Sequence, residues 1–400
     1  MTDQPLAIEP SVSVWSIYKL YLLSSVVFVL AVYWPFIRNP WVLTKQAIPE
    51  NYLVDTLSQL DGRFYAQVLQ AGYASTDKKS TLAAFFPGYP CVASILFECG
   101  LPANWSLLAV NWLALLGSFL LARHYLTHRF PHSPQVVYCT IAALAFYPMG
   151  FHLRFMYSES LFLCSLLLLF VLMQERVSPI LVALLGGAIT GIRPPGVATI
   201  PVVLLYAWSF EEAWKPRLKN VLLSFLFCGW GLAAYMWHLQ QACDNPLAFM
   251  DAQENWVQQS HTFSEKLWSL ATLAPIYRAL EGSTSGFKDL TFRWLLFNQV
   301  ADALCWLLFA SLLIYGGWKK WLNRQELLLS ALLFGFCTWF QADRNNMVCQ
   351  GRFVSVIFPA YITAGHQLAA TRWQVRLVLW VVASLLYINY ASNFASGFAW

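Results

Sequence analysis

Apolar runs, each near the 20 or so residues that a helix needs to cross a bilayer, recur along most of this sequence. They cover residues 15–37, 134–150, 158–173, 220–240, 294–316, 326–340, 352–370 and 377–398. The pattern predicts an all-α, polytopic membrane protein of roughly 10–12 membrane helices, built as a single domain over residues 1–400. Composition agrees: 58% of residues are hydrophobic and 11% charged, where soluble domains carry about 25% charged. The 19 Trp and 18 Tyr suit two interfacial belts. The net charge of +5 is spread in short basic clusters between apolar runs, a topology signal that gives no footprint for nucleic acid. Residues 1–10 are acidic, so the first run reads as an anchor and not as a cleaved signal peptide. The nine Cys show no metal-ligand spacing and mostly lie inside apolar runs, which reads as buried free thiols, with a disulfide between Cys243 and Cys349, in loops on the same side, as the alternative.

Two stretches do not read as single spans. Residues 180–208 are too long for one helix and break at Arg193-Pro194-Pro195-Gly196, which predicts two half-helices. Residues 82–122 carry Pro87, Gly88, Pro90 and the break Cys99-Gly100-Leu101-Pro102. Basic loops at 174–178, 211–219, 319–324 and 371–376 are assigned to the cytoplasm by the positive-inside rule. Residues 38–81 and 242–293 then form two long outer loops, and 154–159 and 341–351 face outward as well. This alternation requires one net crossing by residues 82–122, which the basic stretch 123–132 favours.

The unusual polar residues gather on the outward side. Residues 54–71 predict an amphipathic helix in the interface, with Leu57, Leu60, Phe64 and Val68 on one stripe and Gly72 as a stop. Asp61 lies beside that stripe, suited to taking a proton from an acceptor hydroxyl, or else a solvated charge on a surface helix. Ala84-Phe85-Phe86-Pro87-Gly88-Tyr89-Pro90 opens a helix start next to protein or water, although a simple kink would use the same residues. Arg154, Tyr157 and Glu159 begin a span and so favour the bundle interior; Ser158 and Glu159 would equally serve as a helix cap. Arg193 at a broken-helix apex suits bidentate binding of a phosphate, or pairing with Asp61 or Glu159. The stretch from Asp244 to Trp256, Gln253 included, mixes acids, amides and aromatics fit for sugar contacts, or forms an ordinary loop before an amphipathic helix. Arg352 stands at the mouth of a span, with Phe358-Pro359 about a turn deeper and snorkelling as its plain explanation. A bundle that joined these residues would hold an anionic, lipid-carried substrate whose headgroup reacts outside.

The order of these motifs resembles the PIG-V family of membrane mannosyltransferases and its bacterial relatives. Leu60-Asp61-Gly62-Arg63-Phe64-Tyr65 through Ala71-Gly72-Tyr73, followed by Ala84 to Pro90, is similar to that family's first outer loop. Tyr157-Ser158-Glu159-Ser160-Leu161-Phe162 resembles its next motif, and Gly191-Ile192-Arg193 with Gly196 the one after. Pro246-Leu247-Ala248-Phe249, Ala252-Gln253 and Trp256 look like the bacterial relatives in particular, and Arg352-Phe353 with Phe358-Pro359 fits the last motif. Three positions depart from the pattern: Leu60 where a Trp usually precedes the acid, Pro194-Pro195 where small polar residues are commoner, and Gly62-Arg63 after the acid.

The resemblance implies a GT-C fold and a polyprenyl- or dolichyl-phosphate sugar as donor, with Asp61 as the catalytic acid. The expected reaction is an inverting transfer to a lipid or glycan acceptor. Asp61 is the general base, Arg193 and Arg352 steady the phosphate, Arg154, Tyr157 and Glu159 order the pocket, and Asp244 and Gln253 belong to a loop over the sugar. No cofactor is expected, although Asp61 and Glu159 could share a divalent cation. Membrane lipids are the other expected partners, in a bacterial cytoplasmic membrane or, for a eukaryotic source, the endoplasmic reticulum. A lipid-linked-sugar flippase and a non-catalytic membrane subunit are the competing readings.

Overall fold

A computed structural model describes residues 12–38, 50–73, 81–253, 301–341 and 349–396, with a few positions between 262 and 274. Among these residues the regular structure is helical throughout. In chain order the helices are α1 (Val14–Arg38), α2 (Tyr52–Leu57), α3 (Asp61–Ala71), α4 (Gly88–Glu98), α5 (Ala103–Arg129), α6 (Pro134–Ala145), α7 (Glu159–Gln174), α8 (Pro179–Thr190) and α9 (Thr199–Ser209). They continue as α10 (Trp214–Phe227), α11 (Trp230–Cys243), α12 (Ala248–Gln253), α13 (Ala301–Trp318), α14 (Arg324–Gln341), α15 (Gln350–Val354), α16 (Phe358–Ala370) and α17 (Trp373–Ala395).

Five stretches are long and apolar enough to cross a membrane: α1, α5, the nearly continuous α10–α11, α13 and α17. Four shorter apolar helices, α6, α7, α8 and Pro194–Ser209, complete the apolar set among the described residues. Their surfaces divide by neighbour. Half of α5's apolar stretch is buried, whereas α17 buries 17% of its own and exposes Val378, Val381 and Leu385. In water such a face would be a large apolar patch; in a bilayer it is the lipid-facing side. The protein is a multi-pass membrane protein.

The helices alternate in direction, and contacts between their ends show it. Arg123, near the end of α5, donates Nε to the Val12 carbonyl just before α1 (2.6 Å). Gln174 at the end of α7 donates to the Tyr125 carbonyl (3.2 Å), and Tyr206 near the end of α9 donates to that of Val177 (2.6 Å). This end of the bundle carries the Arg- and Lys-bearing loops. It also carries exposed Trp15, Trp208, Trp214, Trp318 and Trp373 at helix termini, the aromatic belt expected at an interface. The other end holds α2, α3 and the starts of α4, α7 and α15.

The break at residues 180–208 forms as expected. α8 stops at Thr190, Arg193 is extended (φ −155°), and Pro194–Ala198 makes a 3-10 turn that feeds α9. Two prolines cannot supply the N–H groups that would continue α8. Within residues 82–122, α4 has 11 residues and α5 has 27. At 1.5 Å per residue α4 is about 16 Å long, too short for a core of about 30 Å, so α5 alone spans.

Several expectations are corrected. The single helix over 54–71 is two, because Leu60 takes φ 58° and turns the chain between α2 and α3. The expected 352–370 span is divided into α15 and α16, and 134–150 ends as a helix at Ala145. Cys243 and Cys349 are both free thiols; Cys243 Sγ faces the Tyr73 carbonyl, while Cys349 caps α15 with φ 64°. The greater part of the second outer loop beyond 253, the start of the 294–316 run and residues 342–348 lie outside the described residues.

Candidate active site

The site begins at the α2–α3 turn. A non-glycine residue in the left-handed region is strained, and here Leu60 uses that conformation to make Asp61 the first residue of α3. The turn is fixed from below: Met156 donates its backbone N–H to the Leu57 carbonyl (3.0 Å). A Cβ on Gly62 would come within 3.1 Å of Met156 Cβ, so a residue larger than glycine would push α3 off this support. Tyr65 and Ser158 hydroxyls meet at 2.8 Å. Burial pushes the Tyr65 phenol up to about 12, so it stays protonated and acts as a strut. Phe85 stacks on Phe64 at 4.7 Å and meets Tyr65 edge-on at 5.2 Å, which binds the Phe-Phe-Pro-Gly segment to α3.

That segment also fixes the broken helix. Gly88 donates its N–H to the Gly191 carbonyl (2.8 Å), and a Cβ on Gly88 would meet that oxygen at 2.8 Å and Ile192 at 2.9 Å. Glycine therefore lets the start of α4 lie directly on the two residues before Arg193. On the other side, the irregular stretch 153–160 is braced by α5: Asn111 Nδ2 donates to the Phe155 carbonyl, and Trp112 Nε1 to that of Arg154 (3.1 Å).

Four ionisable side chains from four separate segments converge here. Arg352 Nη2 lies 2.6 Å from Asp61 Oδ2, while its Nε donates to Glu159 Oε1. Arg193 Nη1 lies 2.7 Å from the same Glu159 oxygen, an ion pair and not an aligned hydrogen bond. Glu159 Oε2 has no hydrogen-bond partner among the described residues. Glu159 is fully buried and the side chains of Arg352 and Arg193 are 6% and 9% exposed, but that of Asp61 is 25% exposed. The cluster is balanced in charge, with two acids and two arginines, and Asp61 is its open edge. The Tyr157 ring lies under the Arg352 guanidinium at 4.1 Å, a cation–π contact. The Phe353 ring lies 5.8 Å from the Arg193 guanidinium.

Asp61, Tyr157, Glu159, Arg193 and Arg352 are thus brought together, whereas Arg154 and Asp244 are not. Arg154 turns to α1, donating to Ser24 (2.6 Å) and Ser25 (2.9 Å) and lying over Tyr21 and Phe28. The 3-10 turn Gly150–Arg154 rotates it away from Glu159, so its surroundings are a helix-docking site and not the cluster. Asp244 caps α11 in a left-handed conformation and accepts from Gln240 (2.8 Å), exposed and apart from Asp61. The Gln253 side chain lies outside the described residues. Phe249, a little before it, packs against Phe86 and Tyr235, so α12 does cover the Phe-Phe-Pro-Gly segment.

Sequence reading missed Asp302. Buried at the start of α13, it accepts the N–H of Cys349 at one oxygen (2.8 Å) and of Gly351 at the other (2.6 Å). It thereby holds the tight turn from which Arg352 emerges, and a Cβ on Gly351 would meet Asp302 Oδ1 at 2.9 Å. The signal was present: an acid within an apolar run marks an interior role. His152 was also passed over. It is buried beside Tyr157, and burial, reinforced by the Arg352 charge, holds its imidazole well below the usual range and so neutral.

No protein-family model matches this chain, and no curated protein matches it in sequence. Among solved structures it is similar to the oligosaccharyltransferase of Archaeoglobus fulgidus, a structure tethered with an acceptor peptide containing the NVT sequon. That similarity covers 96% of this chain and 55% of the other, at 11% identity and a TM-score of 0.46. The chain therefore spans about half the length of that protein.

Proposed function

We propose that this protein is a membrane glycosyltransferase of the GT-C type, mannosyltransferase-like, with Asp61 as its general base. The observation that carries the reading is the convergence of Asp61, Glu159, Arg193 and Arg352 on one end of the bundle, with Asp61 alone open to solvent. These four residues lie in the motifs that resemble the PIG-V family, in which the outer-loop acid is catalytic. The opposite end carries the basic loops, so the positive-inside rule places the cluster on the non-cytoplasmic face. The membrane would be a bacterial cytoplasmic membrane, or the endoplasmic reticulum for a eukaryotic source.

The donor is a polyprenyl- or dolichyl-phosphate sugar and the acceptor a hydroxyl on a lipid or glycan. The acceptor oxygen attacks the anomeric carbon while the bond from that carbon to the phosphate oxygen breaks. The acceptor proton passes to Asp61, and the bonding electrons stay on the lipid phosphate. Arg352 is the arginine best placed to meet that developing charge, since it reaches Asp61 at the open edge while Arg193 pairs with the buried Glu159 behind it; fixed donors aimed at developing charge are where most stabilisation arises. Arg352 pairs with Asp61, and an entering phosphate would compete for the same guanidinium, freeing the carboxylate to accept a proton.

Purified protein given a labelled polyprenyl-phosphate sugar and a crude acceptor pool tests this reading. Asp61→Asn is expected to lower transfer by about 10²–10⁴-fold, the usual contribution of a general base, with normal expression. Full activity in Asp61→Asn would remove Asp61 from the mechanism. Wild-type protein that transfers no sugar yet moves the lipid between leaflets would establish a flippase instead.

A further inference from the structure

α5 and α7 pack along one another, and the end of this pair farthest from the Asp61 cluster carries a second group of ligand-bearing side chains. His124 and His128 are four residues apart on α5 and so share a face; their ring centroids are 4.4 Å apart. Glu175, one residue past α7, is fixed by its own N–H to the Val171 carbonyl (2.9 Å). It places Oε1 2.9 Å from His124 Nε2. One candidate donor atom from each of the three residues falls within 4.8 Å of the others.

We propose that His124, His128 and Glu175 form a binding site for a borderline transition-metal dication of the zinc class. The tautomer of His128 supports it. Its Nδ1 lies 2.9 Å from the His124 carbonyl, which can only accept, so Nδ1 carries the proton and Nε2 keeps its lone pair for a metal. A ligating histidine normally fixes its other ring N–H to a carbonyl or carboxylate in this way. Four-coordinate zinc with bonds of about 2.0–2.1 Å holds its ligand atoms roughly 3.3 Å apart. His124 Nε2 and Glu175 Oε1 are already at 2.9 Å and the group lies within 4.8 Å, so rotation of partly exposed side chains can close the site with both helices in place.

The neighbouring cations are engaged elsewhere. Arg123 donates to Val12, and Arg176 stacks on Phe210 and donates to its carbonyl (2.8 Å). Two imidazoles and one carboxylate favour zinc, cobalt, nickel or copper over magnesium or calcium, and water would fill the fourth position. A bound ion would join the last turn of α5 to the end of α7, independently of any chemistry at Asp61.

Tag-free protein in detergent, stripped with a chelator, is titrated with Zn²⁺ by calorimetry and with Co²⁺ by the visible absorption of its tetrahedral complex. One equivalent is expected to bind to the wild type. His128→Ala and Glu175→Gln should each weaken it beyond the roughly 10–100-fold that outer-shell changes cause. His132→Ala, an exposed histidine outside the group, should bind as the wild type does. Because all three ligands are at least partly exposed, these variants are expected to fold, which their thermal unfolding without metal checks. Zinc binding unchanged in His128→Ala, or absent from the wild type, would leave a simple His124–Glu175 ion pair and overturn the site.

Discussion

Glu159 and Glu326 are both fully buried acids in the first turn of an apolar helix, at opposite ends of the bundle, and their surroundings differ in kind. Glu326 is satisfied mostly by neutral donors, one from its own first turn and one from α5. Tyr125 donates its hydroxyl to one oxygen (2.7 Å) and Asn323 its N–H to the other (2.5 Å), while the Glu326 N–H returns to the Asn323 side chain (2.8 Å). That is a reciprocal cap of the capping-box kind, with Asn as the first member. Arg129 stands off at 3.8 Å. Glu159 instead has two arginines on one oxygen and no hydrogen bond on the other, with Asp61 behind Arg352. Burial of an acid therefore does not mark a reaction centre in this protein. A closed shell of mostly neutral donors marks a structural acid; charges gathered on one another and left open at one edge mark a candidate site.

The largest effect is expected from Arg352→Met, which removes the group both acids of the site share. Breaking a buried pair by deleting one partner costs about 3–5 kcal/mol, and losing a donor to developing phosphate charge costs about 10²–10³ in rate. Thermal unfolding and sugar transfer should therefore both collapse. Arg352→Lys should recover stability further than activity, because a lysine cannot reach Asp61 and Glu159 as a fork. Unimpaired transfer in Arg352→Met would reduce this region to the status of Glu326.

Asp302→Asn comes next and acts at one remove. An asparagine can accept from one of the Cys349 and Gly351 N–H groups while setting its own amide hydrogens against the other, a loss of about 1–3 kcal/mol. Displacing Arg352 by an ångström is enough to lower the rate by up to about 100-fold. Corrected for the folded fraction, kcat should fall and the donor KM rise. Stability loss with unchanged kinetics would make Asp302 a purely structural anchor of α15.

These residues also show what a sequence can and cannot disclose. Asp61, Glu159, Arg193 and Arg352 stand out because an ionisable group at the end of an apolar run must find a partner inside the protein. Their pairing was not readable: Arg352 and Glu159 are 193 positions apart, and only the tertiary crossing selects them. Arg154 shows why phase is lost across an irregular stretch, since the 3-10 turn at Gly150–Arg154 separates its direction from that of Glu159. The helix over 54–71 misled for another reason. Its apolar spacing is regular, but Leu60 adopts a backbone conformation that leucine disfavours, which no periodicity reports. The half-helices around Arg193 were legible because Pro194-Pro195 states a backbone rule and not a preference.

Arg154 offers a smaller test of the same contrast. Arg154→Met removes two charge-assisted hydrogen bonds to Ser24 and Ser25, whose hydroxyls keep their bonds to the Tyr21 carbonyl, and loses the cation over Tyr21 and Phe28, for about 1.5–3 kcal/mol. Thermal unfolding in detergent should show that loss while transfer per folded molecule stays at the wild-type level. A fall in kcat would mean that docking α1 against residues 153–160 also tunes the cluster.

Glu326→Gln is expected to have the smallest effect. Glutamine still offers one oxygen to Tyr125 or to the Asn323 N–H but cannot serve both, and losing one ordinary hydrogen bond costs about 0.5–1.5 kcal/mol. Losing the negative charge from the first turn of α14 adds about 0.3–1 kcal/mol. Arg129 is too distant to leave a tightly paired charge stranded. Unfolding should shift by that small amount with transfer unchanged, whereas Glu159→Gln, removing the charge that two arginines share, should impair both. Equal responses from the two glutamates would mean that the open edge at Asp61, and not the composition of the shell, is the sole difference between them.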